Sequence, residues 1–203
     1  MTISKQGDTR PAAASAPTTA ELEAVRRREP VAMERFFAAY YDRVFGYLLR
    51  LVSERQLAED LTQEVFLRLH RSVDRLDPSR DPGPWVFTVA ANLLRDYWRS
   101  AEHRRRGQRS DLAAAERADD GSEDALERLG KTENEDCLRR MLAQLGERDR
   151  QLVLLRSYGD MDSESLSGVL GISREAVRQR FSRAIKRLGE LYRRFCEPER
   201  RST

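Results

Sequence analysis

Apolar side chains return at three- and four-residue steps through every patterned stretch of this chain, and nowhere do they alternate with polar ones as a strand requires. Such steps place apolar groups on one stripe of a 3.6-residue helix, so the chain is constrained to bury helical stripes against one another. The first stripe starts near Val31 and runs through Phe37, Tyr40, Tyr41, Val44, Leu48, Leu51 and Val52. Leu57, Leu61, Val65, Leu69 and Val73 form a second. Asp77-Pro78-Ser79-Arg80-Asp81-Pro82-Gly83-Pro84 then signals a loop, and Pro84 suits the first turn of a third helix with Val86, Val89, Ala90, Leu93 and Tyr97 inward. Periodicity lapses and returns at Leu138, Met141, Leu142 and Leu145, then at Leu152, Val153 and Leu155. The expected fold class is all-α, with two small helical domains joined by a linker.

Charge divides the chain in the same places. The 203 residues carry a net +3, which hides a near-neutral block (−1 over 29–100), an acidic segment (−7 over 111–136) and a basic end (+6 over 137–203). Residues 1–28, rich in Ala, Thr, Ser and Pro, read as a disordered tail. The expected organisation is a helical domain over 29–100, a charged linker over 101–136, a helix-turn-helix domain over 137–196 and a tail over 197–203. Charged residues make up 35% of the chain and no run approaches the roughly 20 apolar residues of a membrane span. The N-terminus lacks the apolar core of a signal peptide, so a cytoplasmic protein is expected. Cys137 and Cys196 have no metal-ligand neighbours, and neither His70 nor His103 belongs to a metal motif. No metal site and no cofactor are expected, and cytosolic thiols argue against a disulfide.

The C-terminal block has the layout of a helix-turn-helix. Asp162 suits the N-cap of a short helix whose apolar contacts are Leu166 and Leu170. Gly171 permits the left-handed conformation that ends it, and Ser173 caps the next helix. On that helix Val177, Phe181, Ala184, Ile185, Leu188 and Leu191 share one side. Gln179, Ser182, Arg183 and Lys186 lie opposite, with Arg178 flanking on one edge and Arg180 and Arg187 on the other. Arg bonds guanine bidentately and Gln bonds adenine, while flanking arginines neutralise phosphates. That sorting of faces favours DNA binding over a merely solvated charged helix.

Two features of the first block admit two readings each. Asp60, Gln63, Glu64, Leu67 and Arg71 cluster opposite the second stripe, where Leu67 is either an isolated exposed leucine or part of a docking surface. Trp85, Thr88, Asn92, Arg95 and Arg99 share the polar face of the third helix beside the Pro-rich loop. Aromatic and Arg groups so placed clamp unpaired bases, yet Trp85 and Trp98 serve equally well to finish a core.

The run Asp60-Leu61-Thr62-Gln63-Glu64-Val65-Phe66, followed by Trp85-Val86-Phe87-Thr88-Val89-Ala90-Ala91-Asn92, resembles the N-terminal domain of bacterial RNA polymerase sigma factors. Leu170-Gly171-Ile172-Ser173 leading into Val177-Arg178-Gln179-Arg180 resembles their C-terminal helix-turn-helix. Order and spacing are similar to the extracytoplasmic-function (ECF) class over about 31–100 and 138–194. The resemblance implies that Asp60, Gln63, Glu64 and Leu67 dock the clamp coiled coil of the largest subunit of core RNA polymerase, other subunits being contacted elsewhere. It implies that the loop over 74–84 captures a flipped base of the promoter −10 element, with Asn92, Arg95 and Arg99 along the DNA beside it. Arg178, Gln179, Ser182 and Arg183 match positions that read the −35 element. An anti-sigma factor is implied as a further partner, and the linker matches the segment threaded near the active-site and RNA-exit channels.

The sequence departs from the family pattern at Ser165, Ser167 and Gly168 in the short helix, and at Thr88 and Ala91, where Arg is frequent. Two rivals fare worse. A stand-alone regulator binding a two-fold-symmetric site leaves Asp60–Leu67 unexplained. An enzyme using Asp60 and Glu64 would have its carboxylates on an open face with no histidine, metal cluster or Gly-rich phosphate loop near them.

Overall fold

Thr18 begins the first helix by a reciprocal cap: its hydroxyl accepts the Glu21 N–H at 3.3 Å, and its own N–H reaches the Glu21 carboxylate at 2.7 Å. The structure, a computed structural model, describes residues 17–108 and 133–196. Helix α1 (Thr19–Arg26) leads into α2 (Pro30–Val52), α3 (Arg55–Arg71), a 3₁₀ turn (Val73–Arg75) and α4 (Gly83–Gln108). The second region holds α5 (Glu133–Ala143), α6 (Glu147–Gly159), α7 (Ser163–Leu170) and α8 (Arg174–Phe195). The described residues are all-α, as expected.

Three boundaries move. The stretch over 19–26 is a helix rather than disordered tail, because Leu22 and Val25, each 2% exposed, pack on α2 and the 3₁₀ turn. Two apolar residues are too few to make a stripe, but one turn of contact suffices when a larger helix supplies the other wall. Helix α4 continues beyond residue 100 to Gln108, and α5 begins at Glu133, so both domains extend into the segment read as linker. Residues 109–132, which hold most of that linker, lie outside the described residues, as do 1–16 and 197–203.

The stripes are rotated by one residue in places. Phe36 and Tyr47 are buried on α2, whereas Tyr41 and Val31 stay exposed. Helix α4 buries Val86, Ala90 and Leu93 as expected, but also Phe87, Ala91 and Leu94 on a second face. That face packs on α6 and α7, so the two domains share one apolar core instead of standing apart. Helix α6 is correspondingly buried at five consecutive positions, Gln151 to Leu155, as a helix with neighbours on every side must be.

Cys137 on α5 and Cys196 at the end of α8 are brought together, with Cα atoms 5.8 Å apart, inside the span a disulfide requires. They close a small satellite core of Met141 and Leu191, with Leu188 and Phe195 against it.

Candidate nucleic-acid and partner interfaces

Local capping sets the second domain's geometry. The Asp162 carboxylate accepts the Ser165 N–H at 2.8 Å, α7 buries Leu166 and Val169, and Gly171 ends it at φ 65°. Val169 thus takes the inward place expected of Leu170, which is half-buried. The unusual Ser167 secures the turn, its hydroxyl donating to the Ile172 carbonyl at 2.6 Å. Gly168 faces open space. Ser173 accepts the Ala176 N–H at 3.2 Å and starts α8.

Helix α8 then sorts its residues. Val177, Ala184 and Leu191, one every seven residues, are buried, with Phe181 and Leu188 half-buried beside them, while Ile185 is exposed. Arg178, Gln179, Ser182, Arg183, Lys186 and Arg187 are all exposed. A shallow groove brings Arg178, Gln179, Ser182 and Arg183 together with Glu175. Sequence reading passed over Glu175, although its place one turn before Gln179 puts it on the same face. Its carboxylate accepts from Arg178 and, at 3.0 Å, from Gln179, fixing both side chains. Arg180 is half-buried and 3.4 Å from Asp149 on α6, so a phosphate would have to draw it from that pair. Arg187 lies 3.4 Å from Glu190.

The Ser165 backbone N–H, helped by its hydroxyl, holds the Asp162 carboxyl below the ordinary carboxylate range. Arg178 and Gln179 do the same for Glu175. A group whose folded pKa is depressed adds stability above its unfolded pKa and loses it as pH falls through the folded value. The Asp162→Asn variant is therefore expected to melt below wild type at neutral pH, and the gap in Tm should close in acid. A gap independent of pH would refute the charge contribution.

The first domain presents its candidate residues on two helices. Leu67 on α3 is 52% exposed, with Asp60 and Gln63 exposed beside it. Glu64 is partly covered and accepts from Arg68 at 2.9 Å; Arg68 also lies 3.5 Å from Asp96 on α4. On α4, Trp85 is half-buried with its ring 6.5 Å from Phe36, which favours its role in finishing the core. Thr88 turns back on the Pro84 carbonyl at 2.6 Å. Asn92 and Arg99 are exposed, and Asn92 opens with Arg71 and Arg75 onto a basic cleft that sequence reading did not assemble. Arg95 is half-buried: it donates to Asn92 at 3.0 Å and to the Val169 carbonyl of α7. Asp77 and Asp81 brace the preceding loop by accepting the N–H groups of Ser79 and Gly83, each at 3.0 Å. Among the described residues no group of acidic, Cys or His side chains is arranged to hold a metal. No helix there is long and apolar enough to cross a membrane.

The sigma-70 region 2 family matches residues 36–104 and the sigma-70 region 4 family matches residues 135–188. The RNA polymerase sigma factor CarQ of Myxococcus xanthus is 36% identical over 172 residues, 84% of this chain and 94% of that protein. The ECF RNA polymerase sigma factor SigM of Bacillus subtilis is 26% identical over 167 residues, 82% of this chain and 99% of its own length. Two solved structures share the fold at a TM-score of 0.60. One is CnrH in complex with the cytosolic domain of CnrY, at 19% identity over 85% of this chain and 95% of that one. The other is the sigma factor RpoE with the anti-sigma factor NepR from Bartonella quintana, at 20% identity over 79% and 96%. With both sigma-70 regions in order and a relative at this identity matched over nearly its whole length, the chain belongs to the extracytoplasmic-function class of bacterial RNA polymerase sigma factors.

Proposed function

We propose that this chain is a promoter-specificity subunit that binds core RNA polymerase, directs it to particular promoters in the cytoplasm and performs no catalysis itself. The observation that carries the reading is the division of α8 into a buried seven-residue seam and an exposed row of Arg178, Gln179, Ser182, Arg183 and Lys186. That row reads the −35 duplex through hydrogen bonds in the major groove, with Arg187 and, once released from Asp149, Arg180 on phosphates. The first domain docks the polymerase clamp through Asp60, Gln63, Glu64 and Leu67. It holds the separated −10 strand along Asn92, Arg95 and Arg99, with the exposed edge of Trp85 nearby. Stabilising an extruded base offsets an unstacking cost of a few kcal/mol. Polymerase joins the two readers at fixed spacing, so weak separate affinities combine through effective concentration. An anti-sigma factor covering the docking face is the expected antagonist, since CnrH and RpoE are both found bound to partner proteins.

Run-off transcription from a promoter library, with bacterial core polymerase in the presence and absence of the protein, tests this reading. Protein-dependent start sites are expected. The Arg178→Ala/Arg183→Ala variant should lose them, at about 1–3 kcal/mol for each bidentate contact removed. Tight stand-alone binding to a palindromic duplex, without core binding, would overturn the reading in favour of a simple regulator.

A further inference from the structure

Helix α1 closes through a residue that its backbone does not favour. The Arg28 N–H donates to the Val25 carbonyl at 2.9 Å and the Glu29 N–H to the Ala24 carbonyl at 3.1 Å, the nested bonds that end a helix through a left-handed residue. That residue is Arg28, at φ 61°, a place where glycine is the usual occupant because a Cβ is strained there. The arginine side chain makes contacts that glycine cannot. Its Nη1 donates to the His70 carbonyl in the last turn of α3 at 2.7 Å, and its Nη2 lies 3.9 Å from Asp74 in the 3₁₀ turn. The last carbonyls of a helix lack partners inside it and carry the negative end of its dipole, so a guanidinium is favoured at His70.

The turn that Arg28 reaches is one root of the loop that the family resemblance assigns to a flipped base. Val73 and Leu76 are buried there, and the turn packs on α1 and α3. The other root is fixed by α4: Pro82 and Gly83 are buried, and the Val86 N–H donates to the Pro82 carbonyl at 3.0 Å. Between the roots Asp77, Ser79, Arg80 and Asp81 are exposed. The Ser79 hydroxyl and N–H hold the Asp77 carboxyl below the ordinary carboxylate range, and the charges of Arg80 and of Arg26 on α1 add to that. Asp74, besides facing Arg28, is the acidic side chain among those lining the cleft of Arg71, Arg75 and Asn92.

We propose that α1 is a strut for this loop and that Arg28 is its positioning residue, tying the end of α3 to the 3₁₀ turn so that the loop is set for the extruded base before DNA arrives. An exposed pair at 3.9 Å such as Arg28–Asp74 contributes little by itself, so the charge-assisted bond to the His70 carbonyl is the stronger tie. A loop held in its binding conformation by a rigid scaffold meets its ligand without a further ordering cost. An extruded base is read by hydrogen bonds to its edge, so discrimination among bases depends on where the loop stands. The coupling to base capture rests on the reading of the first domain as the −10 module; the strut itself does not.

The test uses the full chain and two substitutions at one position. Arg28→Gly removes the guanidinium where the backbone itself favours glycine, so the end of α1 survives the loss. Arg28→Lys keeps the cation without the fork. Circular dichroism checks helix content, and hydrogen exchange read by mass spectrometry follows the segment 72–83 with α8 as internal control. In Arg28→Gly that segment is expected to exchange about tenfold faster, as the loss of one charge-assisted bond requires, with Arg28→Lys in between and α8 unchanged. Run-off transcription with core polymerase then uses promoters selected by wild type from the library, with all four bases placed at each −10 position. Preference at one position should relax about tenfold in Arg28→Gly and largely return in Arg28→Lys, with core binding unaltered. Unchanged exchange over 72–83 would overturn the strut, and loss of helix content in both variants would replace positioning by a structural role. Faster exchange with every base preference intact would overturn the coupling to base capture alone. Absence of start sites even with wild type would overturn that coupling together with the −10 reading, while the exchange rates still decide the strut.

Discussion

Leu67→Arg is expected to abolish assembly with core polymerase, and with it all protein-dependent transcription, while the free chain melts as wild type does. Leu67 stands half-exposed on α3 and is framed by Asp60, Gln63 and Glu64, so its apolar surface is available to a partner. Surface substitutions away from caps and cores shift stability by no more than about 0.5 kcal/mol, which accounts for the unchanged melting. In the complex the same position becomes desolvated. An apolar anchor ringed by polar groups is where a few side chains supply most of the binding energy, typically about 2 kcal/mol or more each. An arginine there loses the apolar contact and also takes a cation out of water, a further cost of several kcal/mol. Each 1.4 kcal/mol is about tenfold in affinity, so the combined effect is on the order of a thousandfold. Leu67→Ala, which removes only the contact, should retain measurable binding. Co-elution with core enzyme and a titration of labelled protein check both, and wild-type affinity in the arginine variant would remove α3 from the docking surface.

What the sequence made legible was local. The caps at Asp162 and Ser173 and the left-handed Gly171 depend on hydrogen bonds that span three or four residues, so neighbouring residue types are enough to announce them. The exposed polar row of α8 follows by rotation from the same start, and only Glu175 escaped notice. Features set by distant partners were not legible. Helix α4 carries two apolar faces, and a search for one stripe finds Val86, Ala90 and Leu93 but not Phe87, Ala91 and Leu94, because α4 packs on α6 and α7 beyond the linker as well as on its own domain. Five consecutive buried positions give α6 no preferred face at all. Cys137 and Cys196 meet across a separation of 59 residues, and no local rule brings them together. Arg95 was legible as a cation beside a loop, but its engagement with α7 belongs to the packed molecule.

Phe87 shows how that packing reaches stability. Its ring is fully buried, meets Tyr47 edge-on at 5.6 Å and lies under the Arg43 guanidinium at 5.7 Å. A Cβ on Gly159 of α6 would stand 3.1 Å from it, so the backbone of the second domain forms one wall of its site. Truncation to alanine should cost the packed molecule about 3–5 kcal/mol in lost burial and cavity. Because the cavity lies between the domains, their separation would relieve the cavity part of that cost. Phe87→Ala is therefore expected to lower Tm and to enlarge the radius of gyration together. Leu69→Ala is the control: Leu69 is fully buried on α3, which packs on α2, α4 and the 3₁₀ turn of its own domain. It should cost about 2–5 kcal/mol without expansion, since opening relieves nothing there. A Phe87→Ala protein that melts and scatters like wild type would mean that the ring is already in water, and the shared core would have to be abandoned. A lower Tm at unchanged radius would show the cavity retained between domains that stay packed.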